Sequence, residues 1–275
     1  MALSYLNENA TSAAAANWSD STGFADNAEL VLSVSNGIAV TSDVDHSSLT
    51  TGVESFEIQP AFNADAGQAG TPFQFDADYS ADAFVKHGGP RRFYYSATGG
   101  SSNCNFYYHV GTGQTYLEGG TIDNTYVTRG EFYANASTVL TNMQVFGGRG
   151  TIDNNATGFT AYTQKGGSWT VKRDGTFIVE RGTLILDIPD ASPTVSLTVE
   201  QGARVIVLQA NAIATVNNDG IIDLTRAKRP ITLGASTHNQ GPYAKLYQGT
   251  LNHTITAATF YAGFQDAGDP LLGGF

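Results

Sequence analysis

The stretch Gly175-Thr-Phe-Ile-Val-Glu-Arg-Gly-Thr-Leu-Ile-Leu-Asp-Ile188 holds two copies of one phrase: a glycine, one residue, then an apolar strand. Phe177 and Val179, then Leu184, Leu186 and Ile188, sit at the period-2 positions of β-strands, so each run points its apolar set to one side. The phrase recurs as Gly120-Thr-Ile122, Gly130-Glu-Phe132, Gly150-Thr-Ile152, Gly167-Ser-Trp169 and Gly220-Ile-Ile222. Two copies, Gly120-Thr-Ile-Asp-Asn124 and Gly150-Thr-Ile-Asp-Asn154, are identical over these five residues. With Gly130, Gly150, Gly167, Gly182, Gly202 and Gly220 as markers, the gaps are 20, 17, 15, 20 and 18 residues. Units of this size that bury their apolar faces on one another form a solenoid. The expected fold is therefore all-β, a parallel-β-helix-like solenoid with irregular N- and C-terminal segments. A β-sandwich or jelly roll is the alternative, because it too strings short strands between glycine turns. Leu197 and Val199, and Val205 and Val207, continue the alternation, and Val205-Ile206-Val207-Leu208 predicts a strand covered on both sides.

Outward from this centre the chain divides into four parts: an arm over 1–20, a β region over 21–118, the repeat region over 119–250 and a capping or docking tail over 251–275. In the second part, Leu30-Val-Leu-Ser-Val34 runs through Ser35-Asn36-Gly37 into Ile38-Ala39-Val40, and Asn-Gly between apolar runs predicts a hairpin. Further strands are expected at Val53 to Ile58, Phe73 to Phe75, Phe93 to Tyr95, Phe106 to His109 and Thr115 to Leu117. Gly88-Gly89-Pro90, Gly99-Gly100 and Gly111-Thr-Gly113 separate the last of these as turns.

Composition agrees with many short strands and tight turns: charged residues are 14% of the 275, glycines number 31, and 15 Phe with 13 Tyr argue against disorder. A formal net charge of −11 opposes a nucleic-acid or anionic-membrane partner, both of which need a positive field. The single cysteine, Cys104, forms no intramolecular disulfide and no thiolate cluster, and reads as a small buried apolar residue. The start lacks a positive segment followed by an apolar one, so no secretory signal is expected. No apolar run reaches the roughly 18 residues of a membrane span.

Few residues form patterns that carry chemistry. Asp76 and Asp78, and Asp43 and Asp45 beside His46, are carboxylate pairs two apart that share a strand face. Such pairs bind Ca²⁺ or divide acid and base roles in glycoside cleavage, but neither has an EF-hand's flanking residues, and solvated charge is the expectation. His46, His87, His109, His238 and His253 form no His-x-x-x-His pair, and no esterase elbow or nucleotide-binding glycine loop is present. No catalytic, cofactor-binding or metal-binding residue is therefore assigned, and no cofactor is expected. Lys86, His87, Arg91 and Arg92 precede Phe93-Tyr94-Tyr95, a basic and aromatic group suited to a subunit contact. Phe106-Tyr107-Tyr108 repeats the aromatic triplet thirteen residues on. These rings are expected in the core, or else lining a glycan groove or interface.

Taken together, Asn17-Trp18-Ser19-Asp20, the strand pair around Ser35-Asn36-Gly37, Asp45-His46-Ser47-Ser48-Leu49 and the Gly-Thr-Ile-Asp-Asn repeats resemble the β-solenoid structural proteins of tailed phages, which include capsid decoration (cement) proteins and head or tail fibres. The chain also faintly resembles right-handed β-helix polysaccharide lyases and tailspikes, without their catalytic signature. The resemblance implies a non-enzymatic virion protein, assembled in the host cytoplasm, that binds the outer capsid surface and stabilises it. Its partners would be the major capsid protein and copies of itself, a trimer among the options, with no nucleic acid and no membrane. The alternatives are a phage fibre that binds or cleaves host-surface glycans and a bacterial surface adhesin.

Overall fold

The structure is a computed structural model describing residues 3–6, 17–19, 25–33, 39–40, 52–97, 103–153, 157–189, 195–210, 212–238, 244–256, 259–260 and 265–266. Most of the arm and of the tail, the Ser35-Asn36-Gly37 turn, the Asp43, Asp45 and His46 group and Gly99-Gly100 lie outside the described residues. Among the described residues there is no α-helix. The chain is a β-solenoid: successive coils stack so that each strand pairs in parallel with the strand one coil on, as a sandwich or jelly roll does not. It separates into two compact units, residues 1–142 and 143–275.

In the first unit, one parallel ladder runs through Leu3–Tyr5, Glu29–Leu32, Ser55–Ile58, Phe84–His87, Asn103–His109 and the C-terminal half of Gln114–Val127. A second runs from Ala66 through Arg92–Ala97 and the N-terminal half of Gln114–Val127 to Glu131–Ala134. Parallel coils thus already occupy residues N-terminal to the glycine-led stretch. They also correct the hairpin expectation: Glu29–Leu32 has parallel neighbours on both edges, which leaves that strand no antiparallel partner.

Gln114–Val127 serves both ladders because Gly120 turns the chain within it. Gly120 has φ +80°, a region other residues rarely adopt, and a Cβ there would collide with the Ala97 carbonyl oxygen of the neighbouring coil. Inward positions form columns along the stack. Leu30, Phe56, Val85 and Tyr107 make one, and Phe93, Thr115 and Phe132 another. The core of this unit is largely aromatic: the Phe56 ring lies 5.4, 5.0 and 5.7 Å from those of Phe73, Phe75 and Phe93.

In the second unit, one ladder joins Arg149–Ile152, Ser168–Val171, Gly182–Asp187, Ala203–Gln209, Ile221–Asp223 and Lys245–Tyr247. The other joins Phe159–Gln164, Gly175–Val179, Val195–Val199, Ala212–Asn218 and Thr232–His238. The coil length varies: register partners Leu184 and Val205 are 21 residues apart, Val205 and Ile222 are 17, and Ile222 and Leu246 are 24. Register is held because a one-residue slip would turn every apolar side chain outward. The predicted inward residues Phe177, Val179, Leu184, Leu186, Leu197, Val199, Val205 and Val207 are all buried, each contributing about 1.5–3 kcal/mol of transfer free energy. Ile206 points away from this core yet is only 7% exposed, so the strand is covered on both sides there, as its apolar run requires. At one corner Gly148, Gly167 and Gly182 stack at positive φ, and a Cβ on either of the later two would strike the carbonyl of the glycine beneath.

Candidate functional site

Because side chains alternate across a strand, the outward positions of successive coils also fall into register. In the first unit this creates two aromatic ladders. Tyr94, Tyr116 and Tyr133 are consecutive partners, with ring centroids 4.8 and 5.0 Å apart and planes within 12° and 14°. Beside them runs the row Arg92, Gln114 and Glu131. Gln114 Nε2 donates to Glu131 Oε2 at 2.8 Å, Tyr116 Oη donates to Gln114 Oε1 at 3.2 Å, and Tyr133 Oη donates to Glu131 Oε2 at 2.8 Å. On the other ladder Tyr108 stacks on Tyr126 at 5.2 Å and on Phe106 at 6.2 Å, and meets Phe84 edge-on at 6.1 Å.

The spacing of these rings is that of the strands, so their faces lie on one another and their edges and hydroxyls point outward. A platform that binds sugars by stacking needs free ring faces, and the interior of such a ladder offers none. What the ladders do offer is lateral stiffness and a strip of phenol hydroxyls. Burial raises the Tyr116 phenol above its usual range, with Tyr94 adding to it, and burial followed by Tyr126 does the same for Tyr108.

The basic group is dispersed among partners. Lys86 Nζ is 2.8 Å from Glu57 Oε1, Arg91 Nε donates to Asn63 Oδ1 at 2.8 Å, and Arg92 Nε is 3.5 Å from Asp65 Oδ2. A hydrogen bond with Tyr94, then the Asp65 charge, raises the Arg92 guanidinium further. His87 leaves this group altogether, because its strand turns it inward.

There it meets residues distant in sequence. His87 Nδ1 is 2.9 Å from Thr115 Oγ1 and 3.2 Å from His109 Nδ1; Thr115 Oγ1 is 3.0 Å from His109 Nδ1 and 2.9 Å from Tyr107 Oη. All four side chains are buried. Burial, then the second imidazole, holds His87 well below the usual histidine range, against a hydrogen bond to the Arg91 carbonyl. Burial lowers His109 to about 4, although the Gly113 carbonyl favours its charged form. Tyr107 is raised by burial, with the Thr115 hydroxyl opposing.

Asp76 is not the solvated charge expected of it: it is 1% exposed, and its Oδ1 accepts from the Asn103 amide at 3.2 Å. Asp78 is half-buried, and between the two Ala77 bridges to Cys104. Cys104 is fully buried and its thiol is pushed up to about 12 by burial. His253 is half-buried and structural, accepting from the Ile231 amide at 3.0 Å and donating to the Gln248 carbonyl at 2.9 Å. Among the described residues no three His, Cys, Asp or Glu side chains gather where a metal ion could be held. No helix among the described residues is long and apolar enough to cross a membrane.

The sequence reading picked out the triplets containing Tyr94 and Tyr108 but missed Tyr116, Tyr126 and Tyr133, which complete the ladders. The signal was present in the coil-length spacing of Tyr94, Tyr116 and Tyr133. Nothing in the sequence linked Thr115 to the two histidines.

No protein-family model matches the chain, and neither a curated protein nor a solved structure matches it.

Proposed function

We propose that the protein is a non-enzymatic structural component of a phage virion, which binds the outer surface of the capsid, stabilises it, and acts as a homo-oligomer. The observation that carries this reading is the segregation of charge. Residues 1–142 hold 15 Asp and Glu against 4 Lys and Arg, a net of −11, whereas residues 143–275 hold 10 of each, a net of zero. One unit therefore carries the chain's whole net charge, and in the other the charges balance. A field of this kind steers a protein onto a basic surface, and a repeating shell presents the same surface many times, so weak contacts add. The outward rows of the first unit support a mechanical role, because stacked rings and paired cations stiffen the coils. The capsid as the particular partner rests on the sequence resemblance.

The test is co-sedimentation of the purified protein with capsids of a phage whose genome encodes it beside a major-capsid gene. Binding at 50 mM NaCl that weakens strongly at 500 mM is expected. Absence of binding at either salt concentration sinks the reading. A second reading, a fibre that binds or cleaves host glycans, is favoured by the Tyr94–Tyr116–Tyr133 strip beside Gln114 and Glu131, whose hydroxyls and carboxylate suit polyol hydrogen bonding. Glycan-array binding lost in Tyr116→Ala would establish it in place of the first.

A further inference from the structure

The inward column Leu32, Ile58, His87, His109 and Val127 runs through five consecutive strands of the first unit. Three of its members are aliphatic and two are imidazoles, register partners with ring centroids 5.0 Å apart. Thr115 interrupts the neighbouring column between Phe93 and Phe132 at the level where both imidazoles reach it. These polar groups lie in a core otherwise able to pack apolar side chains.

With both rings neutral the hydrogen bonds at the two Nδ1 atoms and the two hydroxyls close, while His109 Nε2 makes none. Tyr107 O–H donates to Thr115 Oγ1, Thr115 O–H donates to Nδ1 of one ring, and the other ring donates its Nδ1–H to Thr115 Oγ1. The hydroxyl oxygen then uses both lone pairs and its one proton. With both rings charged the bonds cannot close: each Nδ1 is a donor, Thr115 O–H loses its acceptor, and two cations face each other across 3.2 Å. The surroundings do not compensate. The Phe93 ring packs against His87 and the Phe132 ring against His109. Beyond each other, the groups acting on the two rings are the Arg129 cation and the backbone carbonyls of Arg91 and Gly113; no carboxylate is among them.

We infer that His87, His109, Thr115 and Tyr107 form an acid-sensitive lock inside the first unit, closed when the rings are neutral and opening the strands Phe84–His87, Asn103–His109 and Gln114–Val127 when they are protonated. The direction follows from linkage. Unfolded histidine takes its proton near pH 6.5, and folded His109 only near 4, so the open state binds more protons between these values. The contribution to stability is complete above pH 6.5 and is lost progressively as pH falls toward 4. His109 alone raises the opening constant about 30-fold between pH 7.5 and 5.0, and His87 adds to this.

Hydrogen exchange of the full chain at pH 7.5 and 5.0, corrected for intrinsic rates, reads the opening constant in peptides covering 84–87, 103–109 and 114–117. An increase of about 30-fold or more is expected in the native chain, and one smaller by about that factor in His109→Gln. Equal ratios in the two proteins overturn the lock. If His109→Gln does not fold, the native chain decides by NMR: imidazole signals of His87 and His109 that do not titrate above pH 5 support it, and titration near 6.5 in the folded state overturns it.

Discussion

The two units use one backbone plan with a different balance of side chains. The first fills its coils with rings, Phe56 against Phe73, Phe75 and Phe93, and places a polar knot of His87, His109, Thr115 and Tyr107 among them. The second gathers Phe159, Tyr162, Phe177 and Trp169 in its first coils and fills the later ones with aliphatic columns such as Leu184, Val205, Ile222 and Leu246. Outward, the first presents tyrosine ladders and the entire net charge. The second presents short rows such as Thr176 with Ser196 and Thr215, and Ile178 with Thr198 and Asn217. A parallel solenoid needs only in-register apolar faces and glycine corners. What fills and decorates the coils is free to differ, and with it each unit's response to truncation, acid and salt.

The largest expected effects lie in the cores. Phe56→Ala removes a ring that touches three others and should cost about 4 kcal/mol, whereas Leu184→Ala in the aliphatic column should cost about 3 kcal/mol. Urea unfolding followed by hydrogen exchange in each unit measures both, and a larger loss for Leu184→Ala would break the contrast between ring and aliphatic packing. Next comes the corner: Gly182→Ala places a Cβ on the Gly167 carbonyl at φ +87° and should destabilise the second unit by about 2–3 kcal/mol. A change under about 0.5 kcal/mol would show that the corner relaxes freely.

Acid sharpens the comparison. From pH 6.5 to 4.5 the first unit should lose protection through its buried histidines. Asp223 in the second unit responds only later: burial raises its carboxyl, but the Thr225 hydroxyl and Arg204 outweigh this and hold it below the ordinary 3.8. Its contribution is complete above that value and is lost as pH falls below it. Simultaneous loss of protection in both units at pH 5 would refute this order.

Smaller still, Tyr116→Ala removes the middle ring of a ladder and should cost the first unit about 1–2 kcal/mol, against less than about 0.5 kcal/mol for Thr198→Ala on the outer face of the second. Salt is the mildest probe. Raising NaCl from 0.1 to 0.5 M screens the first unit's self-repulsion and should stabilise it by under about 1 kcal/mol while leaving the neutral unit unchanged. Limited proteolysis of each unit at the two salt concentrations distinguishes them.

The solenoid was legible because alternation is local: Phe177, Val179, Leu184 and Leu186 declare their inward face in sequence. The glycine phrase was legible as a repeat but not as one structural position. Gly120 closes a corner at positive φ, whereas Gly150, in the identical five-residue copy, lies inside a strand paired with Trp169. The Asn-Gly signal misled for a related reason. A local turn preference does not choose a strand's neighbours, and the stacking of Glu29–Leu32 between parallel strands did.

By itself, then, the sequence determined the strand character of the chain, the burial of its alternating apolar residues and its acidic balance, since these follow from neighbours one to four residues apart or from composition. Only the tertiary structure decided which residues share a column. Coils of 15 to 29 residues set unequal steps between partners, so Tyr94 reaches Tyr116 and His87 reaches His109 only once the register of the stack is fixed. The same stacking turned His87 from a surface cation into a buried neutral ring, because the face a side chain occupies is set by the pairing of its strand.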